Sequence, residues 1–92
     1  SVAPQALTLF NGEFVNRQAE AFARRLEREA RTDFGEQVKL AFRLALARLP
    51  TKAEVVAMQR FYEQEAAASN GHAALVQGCR VVLNLNEFVY PN

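Results

Sequence analysis

The apolar residues of this chain recur at helical spacing, and this constrains the fold more than any other feature. Between residues 13 and about 31 the apolar positions return every three or four residues. They are Val15, Ala19, Phe22, Leu26 and Ala30. This is the period of one buried face of an α-helix, and no stretch shows the strict alternation of a half-buried strand. The pattern predicts an all-α protein.

Start and stop signals predict a short helix followed by four longer ones. Pro4 suits a first helical turn, so we expect a short helix over residues 4–10 that ends at Asn11-Gly12. Asp33 is the expected N-cap of the third helix, with Glu36 three residues on in a capping-box arrangement. Its apolar segment, residues 38–49, is expected to be central and to stop before Pro50.

Thr51 and Glu54 form a second capping-box pattern, which predicts another helix start. Asn70-Gly71 is the expected end of that helix, and the last helix is expected over about residues 72–88. Residues 66–92 carry only two charges, Arg80 and Glu87. A helix this apolar either sits in the middle of the domain or packs against protein outside this chain.

The connections of two to five residues favour antiparallel neighbours in a compact bundle. Its core is expected to share residues from every long helix, namely Phe22, Leu26, Phe42, Ala45, Tyr62, Cys79 and Val82. At 92 residues the chain is expected to be a single helical domain over residues 1–92. The start at Ser1 without an initiator Met predicts that the chain is an excised domain of a larger protein.

Composition and charge argue against several classes of partner. The net charge is +1, which gives little long-range attraction to nucleic acid or to an anionic membrane. No apolar run reaches the roughly 18 residues of a membrane-spanning helix. We therefore expect no nucleic-acid partner and no membrane insertion.

The charged residues of the first long helix follow a four-residue spacing that predicts solvated ion pairs on its outer face. The expected pairs are Glu13–Arg17, Glu20–Arg24, Arg25–Glu29 and Glu27–Arg31. A carboxylate pair for acid–base catalysis would instead require isolated acids in an apolar cleft.

No catalytic or metal-binding constellation is visible in the sequence. His72 is the only histidine and is expected to be an exposed residue at a helix start. Cys79 is the only cysteine and lies on an apolar face, about 10 Å along the helix axis from His72. Covalent haem attachment requires a CxxCH motif, which is absent, and no cofactor is expected.

A DNA-binding helix-turn-helix is one alternative, since residues 41–65 predict helix, Pro-containing turn and helix. The candidate recognition helix offers Lys52, Gln59 and Arg60, but Glu54 and Glu63 would repel phosphates.

Amide side chains lie within the apolar ends of the chain. Gln5 and Asn11 flank Leu7 and Leu9 near the start, and Asn84 and Asn86, followed by Glu87, flank Leu85 near the end. A buried amide without a hydrogen-bond partner costs roughly 1–3 kcal/mol. These five polar residues are our candidates for a structural clamp between the two ends. Alternatively, they form a docking surface for the remainder of the parent chain.

Three segments of the chain carry a family resemblance. They are Pro4-Gln5-Ala6-Leu7 through Asn11 with Phe14-Val15, residues 41–48 with Pro50-Thr51 and Glu54, and residues 83–88. Together they resemble the C-terminal part of the PSD1 family (DUF1553). The resemblance implies a large exported protein, periplasmic or at the cell surface, of the planctomycete type that often carries cytochrome c-like domains. It supplies no catalytic residues.

These observations favour a non-catalytic helical module that packs against the remainder of the parent chain, or against another protein. The alternatives are an accessory module lining an enzyme or haem-linked redox site formed by upstream sequence, and DNA binding. Whether the parent protein is an enzyme stays open.

Overall fold

A computed structural model describes the backbone of residues 12–89 and the side chains of residues 12–85. This part of the chain forms four α-helices and no strand. They are α1 (Glu13–Ala30), α2 (Phe34–Leu46), α3 (Lys52–Ala68) and α4 (Gly71–Val89). The all-α prediction is confirmed, whereas the predicted total of five helices is not matched. The expected short helix over residues 4–10 lies outside the described residues.

The last helix, α4, is the centre of the fold. It packs against α1, α2 and α3, and its contacts with α1 and α3 are the most extensive between any two helices. The expectation that residues 38–49 form the central helix is wrong. Leu44 is 39% exposed and Leu49 is 55% exposed, because α2 covers the bundle with one face only.

The core lies where α4 meets the other three helices. Its fully buried large side chains include Leu26 of α1, Phe42 of α2, and Cys79 and Val82 of α4. These four were expected to be buried. The other three expected core residues pack half-buried at the edge of the same cluster; they are Phe22, Ala45 and Tyr62.

The turn between α2 and α3 begins earlier than the sequence predicts. Ala47 adopts a left-handed conformation with φ of 57°, and its N–H donates to the Arg43 carbonyl at 3.1 Å. The helix therefore ends three residues before Leu49, and Arg48 becomes part of the turn. The predicted cap of α3 is confirmed: Glu54 N–H donates to Thr51 Oγ1 at 3.1 Å, and Thr51 N–H donates to Glu54 Oε1 at 2.8 Å.

The start of α2 follows the prediction in part. Asp33 caps the helix by accepting from the Glu36 N–H at 3.2 Å. The Glu36 carboxylate does not complete a capping box in the described structure. It accepts from Lys39 Nζ at 3.3 Å instead.

The prediction that Asn70-Gly71 ends α3 is wrong, because these two residues belong to the start of α4. Ser69 ends α3, with both its N–H and its hydroxyl donating to the Glu65 carbonyl at 3.0 Å. Asn70 is instead positioned as a cap for α4, since its Oδ1 accepts from the Ala73 N–H at 2.8 Å. Gly71 is the first residue of α4 and does not have a positive φ. The chain thus passes from one helix to the next through two residues, and His72 falls in the first turn of α4.

The apolar side chains of α4 are covered better than its composition suggests. Over residues 73–85, none of its side chains is exposed. The exposed large apolar side chains described here lie on other parts of the fold; they are Phe14, Leu44, Leu49 and Val56. Of the two placements expected for this helix, the middle of the domain is the one observed for residues 73–85. No described helix is long and apolar enough to cross a membrane.

Candidate functional site

A cluster of three polar side chains joins α1 and α4 at His72. Its Nε2 lies 2.5 Å from Glu20 Oε2, and its Nδ1 lies 2.8 Å from Glu27 Oε2. Glu20 and Glu27 are seven residues apart, two turns of α1, so both carboxylates reach the same side of that helix. We call these three residues the histidine bridge.

The histidine bridge changes the expected pairing on α1. The predicted pairs Glu13–Arg17 and Arg25–Glu29 form, at 3.6 and 2.7 Å. The predicted pairs Glu20–Arg24 and Glu27–Arg31 do not form in the described structure, because both carboxylates face His72. Sequence reasoning missed this bridge. The seven-residue spacing of the two glutamates was its only local signal.

The two carboxylates raise the pKa of His72 above its ordinary value, Glu27 more than Glu20, and partial desolvation opposes them. An imidazole with a carboxylate at each nitrogen is best satisfied when both nitrogens carry a proton. The side chain is 42% exposed, as expected for a residue at a helix start. The prediction of an exposed histidine at a helix start is confirmed, and the structure adds that His72 connects two helices.

The cluster does not have the arrangement of a metal site. The glutamates occupy the two opposite nitrogens of the ring, so the three side chains do not converge on one point. Among the described residues, no group of three or more His, Cys, Asp and Glu side chains is placed to hold a metal ion.

Cys79 is placed as a core residue. Its side chain is 1% exposed, and burial raises the pKa of its thiol to about 12, with a smaller contribution from the charge of Glu27. A buried thiol that is protonated at neutral pH is a weak nucleophile.

An apolar groove opens at the surface where α1, α2 and α4 meet. Its apolar lining consists of Phe22 and Ala21 from α1, Leu44 and Ala45 from α2, and Leu83 from α4. Two polar residues of α1, Gln18 and Arg25, complete the lining. We call this feature the α1–α2 groove. It is a shallow surface feature in which apolar side chains lie beside polar ones, a mixture that also occurs at protein-binding surfaces.

The amide candidates fall mostly beyond the described side chains. Gln5, Asn11, Asn86 and Glu87 lie outside that range, so their predicted roles are not tested. Asn84 follows Leu83 of the groove and is half-buried. Its Oδ1 is inaccessible to solvent and accepts no hydrogen bond within the described residues.

The α2–α3 turn corresponds to the turn of the helix-turn-helix alternative. Acidic as well as basic side chains stabilise it. Arg48 donates to both Glu54 carboxylate oxygens at 2.8 Å. On α3, Gln59 donates to Glu63 at 3.0 Å. Both acids belong to the helix that would have to enter the DNA groove, and their negative charge does not favour phosphate binding.

Fold and surface together define a small all-α domain with an open apolar groove and an interhelical histidine bridge. The model of one family, PSD1 (protein of unknown function, DUF1553), matches residues 1–62 of the chain. The chain therefore belongs to the PSD1 family, as its sequence motifs predicted. No curated protein and no solved structure matches it.

Proposed function

We propose that this domain is a non-catalytic helical packing module whose α1–α2 groove receives another segment of a larger exported protein. The observation that carries the proposal is the groove itself. Leu44, one of its lining residues, is 39% exposed, and four of the other lining residues are apolar. Apolar clefts of this kind serve as sites for partner side chains.

The proposed occupant is an apolar segment of the parent chain, outside these 92 residues. Three observations support this choice. Residues of three helices line the groove, so an occupant would contact α1, α2 and α4 at the same time. Its rim arginine, Arg25, is already paired with Glu29 at 2.7 Å, so the groove offers no strong attraction for an anion. The resemblance to PSD1 supports a parent chain that is large and exported, and such a chain would supply the segment.

The amide clamp belongs to the same proposal. Asn84 Oδ1 is buried and accepts no hydrogen bond within residues 12–85, and a buried acceptor that is left without a donor costs roughly 1–3 kcal/mol. We propose that Asn84 or Asn86 accepts from, or donates to, the chain between Gln5 and Asn11. This clamp would connect the two ends of the domain without a ligand.

A pair of matched variants tests the groove in the full-length protein. Leu44→Lys places a charge at the groove, whereas Val56→Lys places the same charge on α3, where Val56 is 50% exposed outside the groove. Both should leave the stability of the 92-residue chain within about 0.5 kcal/mol of wild type. In the full-length protein, only Leu44→Lys should make this domain more susceptible to limited proteolysis. Equal susceptibility of the two variants would refute the docking role.

A further inference from the structure

We propose that the histidine bridge is a proton-operated lock, which holds the first turn of α4 to α1 when His72 is protonated and loosens when it is neutral. This inference is independent of the proposed docking role. It concerns the stability of one helix junction rather than the occupant of the groove.

The geometry allows the lock to close fully in one protonation state only. The imidazolium has two N–H groups, one for Glu20 and one for Glu27, and both ring nitrogens lie within hydrogen-bond distance of a carboxylate. A neutral imidazole keeps a single N–H. It can donate to one carboxylate, and its unprotonated nitrogen then faces the other carboxylate, which is an acceptor too. Deprotonation therefore removes one interhelical hydrogen bond. The hydrogen bond that remains loses the attraction between the positive imidazolium and the negative carboxylate.

The position of the bridge makes this change matter for α4. The N-terminal turn of this helix is held by the Asn70 cap and by His72, which lies two residues later. Directly after them, Ala74 and Leu75 enter the core. Loss of the bridge would thus loosen the junction at the edge of the core while leaving the interior contacts of α4 in place.

Few other ionisable groups face the bridge. On α1, Arg24 lies one helical turn from both glutamates, without an ion pair among the described residues. On α3, the Tyr62 hydroxyl lies close to Gly71, at 3.0 Å from the position that a Cβ would occupy there. On α4 itself, burial and, to a smaller extent, the charge of Glu27 raise the pKa of Cys79, so its thiol stays protonated. From α2, the described structure brings no charged group into an ion pair or hydrogen bond with His72.

The direction of the pH dependence follows from the raised pKa of His72. The bridge contributes fully below about pH 6.5, the ordinary pKa of an unfolded histidine. Its contribution falls as the pH rises through the higher pKa of the folded state. The lock is therefore closed in mildly acidic solution and loosens in alkaline solution.

Proton NMR on the 92-residue chain tests the bridge directly, because the ring protons of the only histidine need no assignment. We expect a His72 pKa above 6.5 that falls in Glu27→Gln and in Glu20→Gln, and approaches 6.5 in the double variant. Glu63→Gln, a change on the outer face of α3, is the control and should leave the pKa unchanged. A wild-type pKa at or below 6.5, or one that neither glutamate variant lowers, would overturn the proposal.

Amide hydrogen exchange tests whether protonation locks the helix. Comparison of wild type with His72→Gln at each pH removes the intrinsic pH dependence of exchange. We expect the amides just after His72, around Ala74 and Leu75, to exchange at least several-fold more slowly in wild type at pH 6. The two proteins should converge by about pH 9. A wild-type to variant ratio that stays constant from pH 6 to pH 9 would contradict the lock even if the pKa is raised.

Discussion

Arg48 and Glu54 face each other across the α2–α3 turn in a two-bond ion pair. Nη1 lies 2.8 Å from Oε1, and Nη2 lies 2.8 Å from Oε2. The same Glu54 carboxylate accepts from the Thr51 N–H and so completes the capping box of α3. One side chain thus fixes both the turn and the start of the following helix, and these contacts lower the pKa of Glu54 to about 2.

Replacement of Glu54 by Gln should destabilise the chain in a pH-dependent manner. At pH 6 we expect a loss of about 0.5–1 kcal/mol, because the pair is close to the surface and screened by solvent. The lowered pKa means that the ionised group stabilises the fold above pH 4.5 and that this contribution is lost as the pH falls towards 2. Urea unfolding from pH 6 to pH 3 measures the difference. The difference in unfolding free energy between wild type and Glu54→Gln should become smaller towards pH 3. The corresponding difference for the control Glu63→Gln should stay constant.

Thr51→Ala should cost about 1 kcal/mol in the free energy of unfolding, since it removes the acceptor for the Glu54 N–H. Thr51→Ser keeps a hydroxyl at the same position and should retain most of the unfolding free energy that Thr51→Ala loses. Urea denaturation of the three proteins at pH 7 provides the measurement. Equal stability of the alanine variant and wild type would mean that the cap contributes nothing.

Gly78→Ala should stabilise the chain by about 0.5–1 kcal/mol. Gly78 lies inside α4, where glycine is about 1 kcal/mol less favourable than alanine. An added Cβ would lie 3.4 Å from the flexible end of Met58, an ordinary van der Waals contact. Gly71→Ala is the matched control, because its Cβ would come within 3.0 Å of the Tyr62 hydroxyl. Thermal unfolding should show a gain for Gly78→Ala only.

Cys79 should be almost inert to thiol reagents in the folded chain. At pH 8 a thiol with a pKa of about 12 is ionised in roughly one molecule in ten thousand, and its side chain is buried. We expect labelling by a disulfide reagent to be at least about 1,000-fold slower than in urea, because reaction requires opening of the core. Rapid labelling without denaturant would contradict the position of Cys79 in the core.

The sequence predictions are accurate for interactions between residues close together in the sequence. They are inaccurate for interactions between residues far apart in the sequence. The three-residue spacing of Thr51 and Glu54 specifies a cap by local geometry alone, and that cap forms. Glu20 and Glu27 have equally suitable local partners, yet they bind a residue 52 and 45 positions away. A pairing of this kind depends on how α1 and α4 cross, which the spacing of charges within one helix does not encode.

The same limit explains the errors in the turns and in the central helix. Asn70 and Gly71 fit either a helix end or a helix start, and only the direct passage from α3 to α4 decides between them. The apolar residues 38–49 predicted a central helix, but α4 takes that place and leaves Leu44 at the surface. The α1–α2 groove is a consequence of this arrangement, so no sequence motif predicted it.

The reactivity of a single thiol at the groove tests the central claim most directly. The variant Leu44→Cys adds an accessible thiol to a chain whose own Cys79 is buried, and Val56→Cys adds one outside the groove. Labelling rates are compared between the 92-residue chain and the full-length protein. We predict that both variants react rapidly in the 92-residue chain and that only Leu44→Cys becomes protected in the full-length protein. Equal reactivity of Leu44→Cys in the two contexts would show that the groove stays open and would contradict the account.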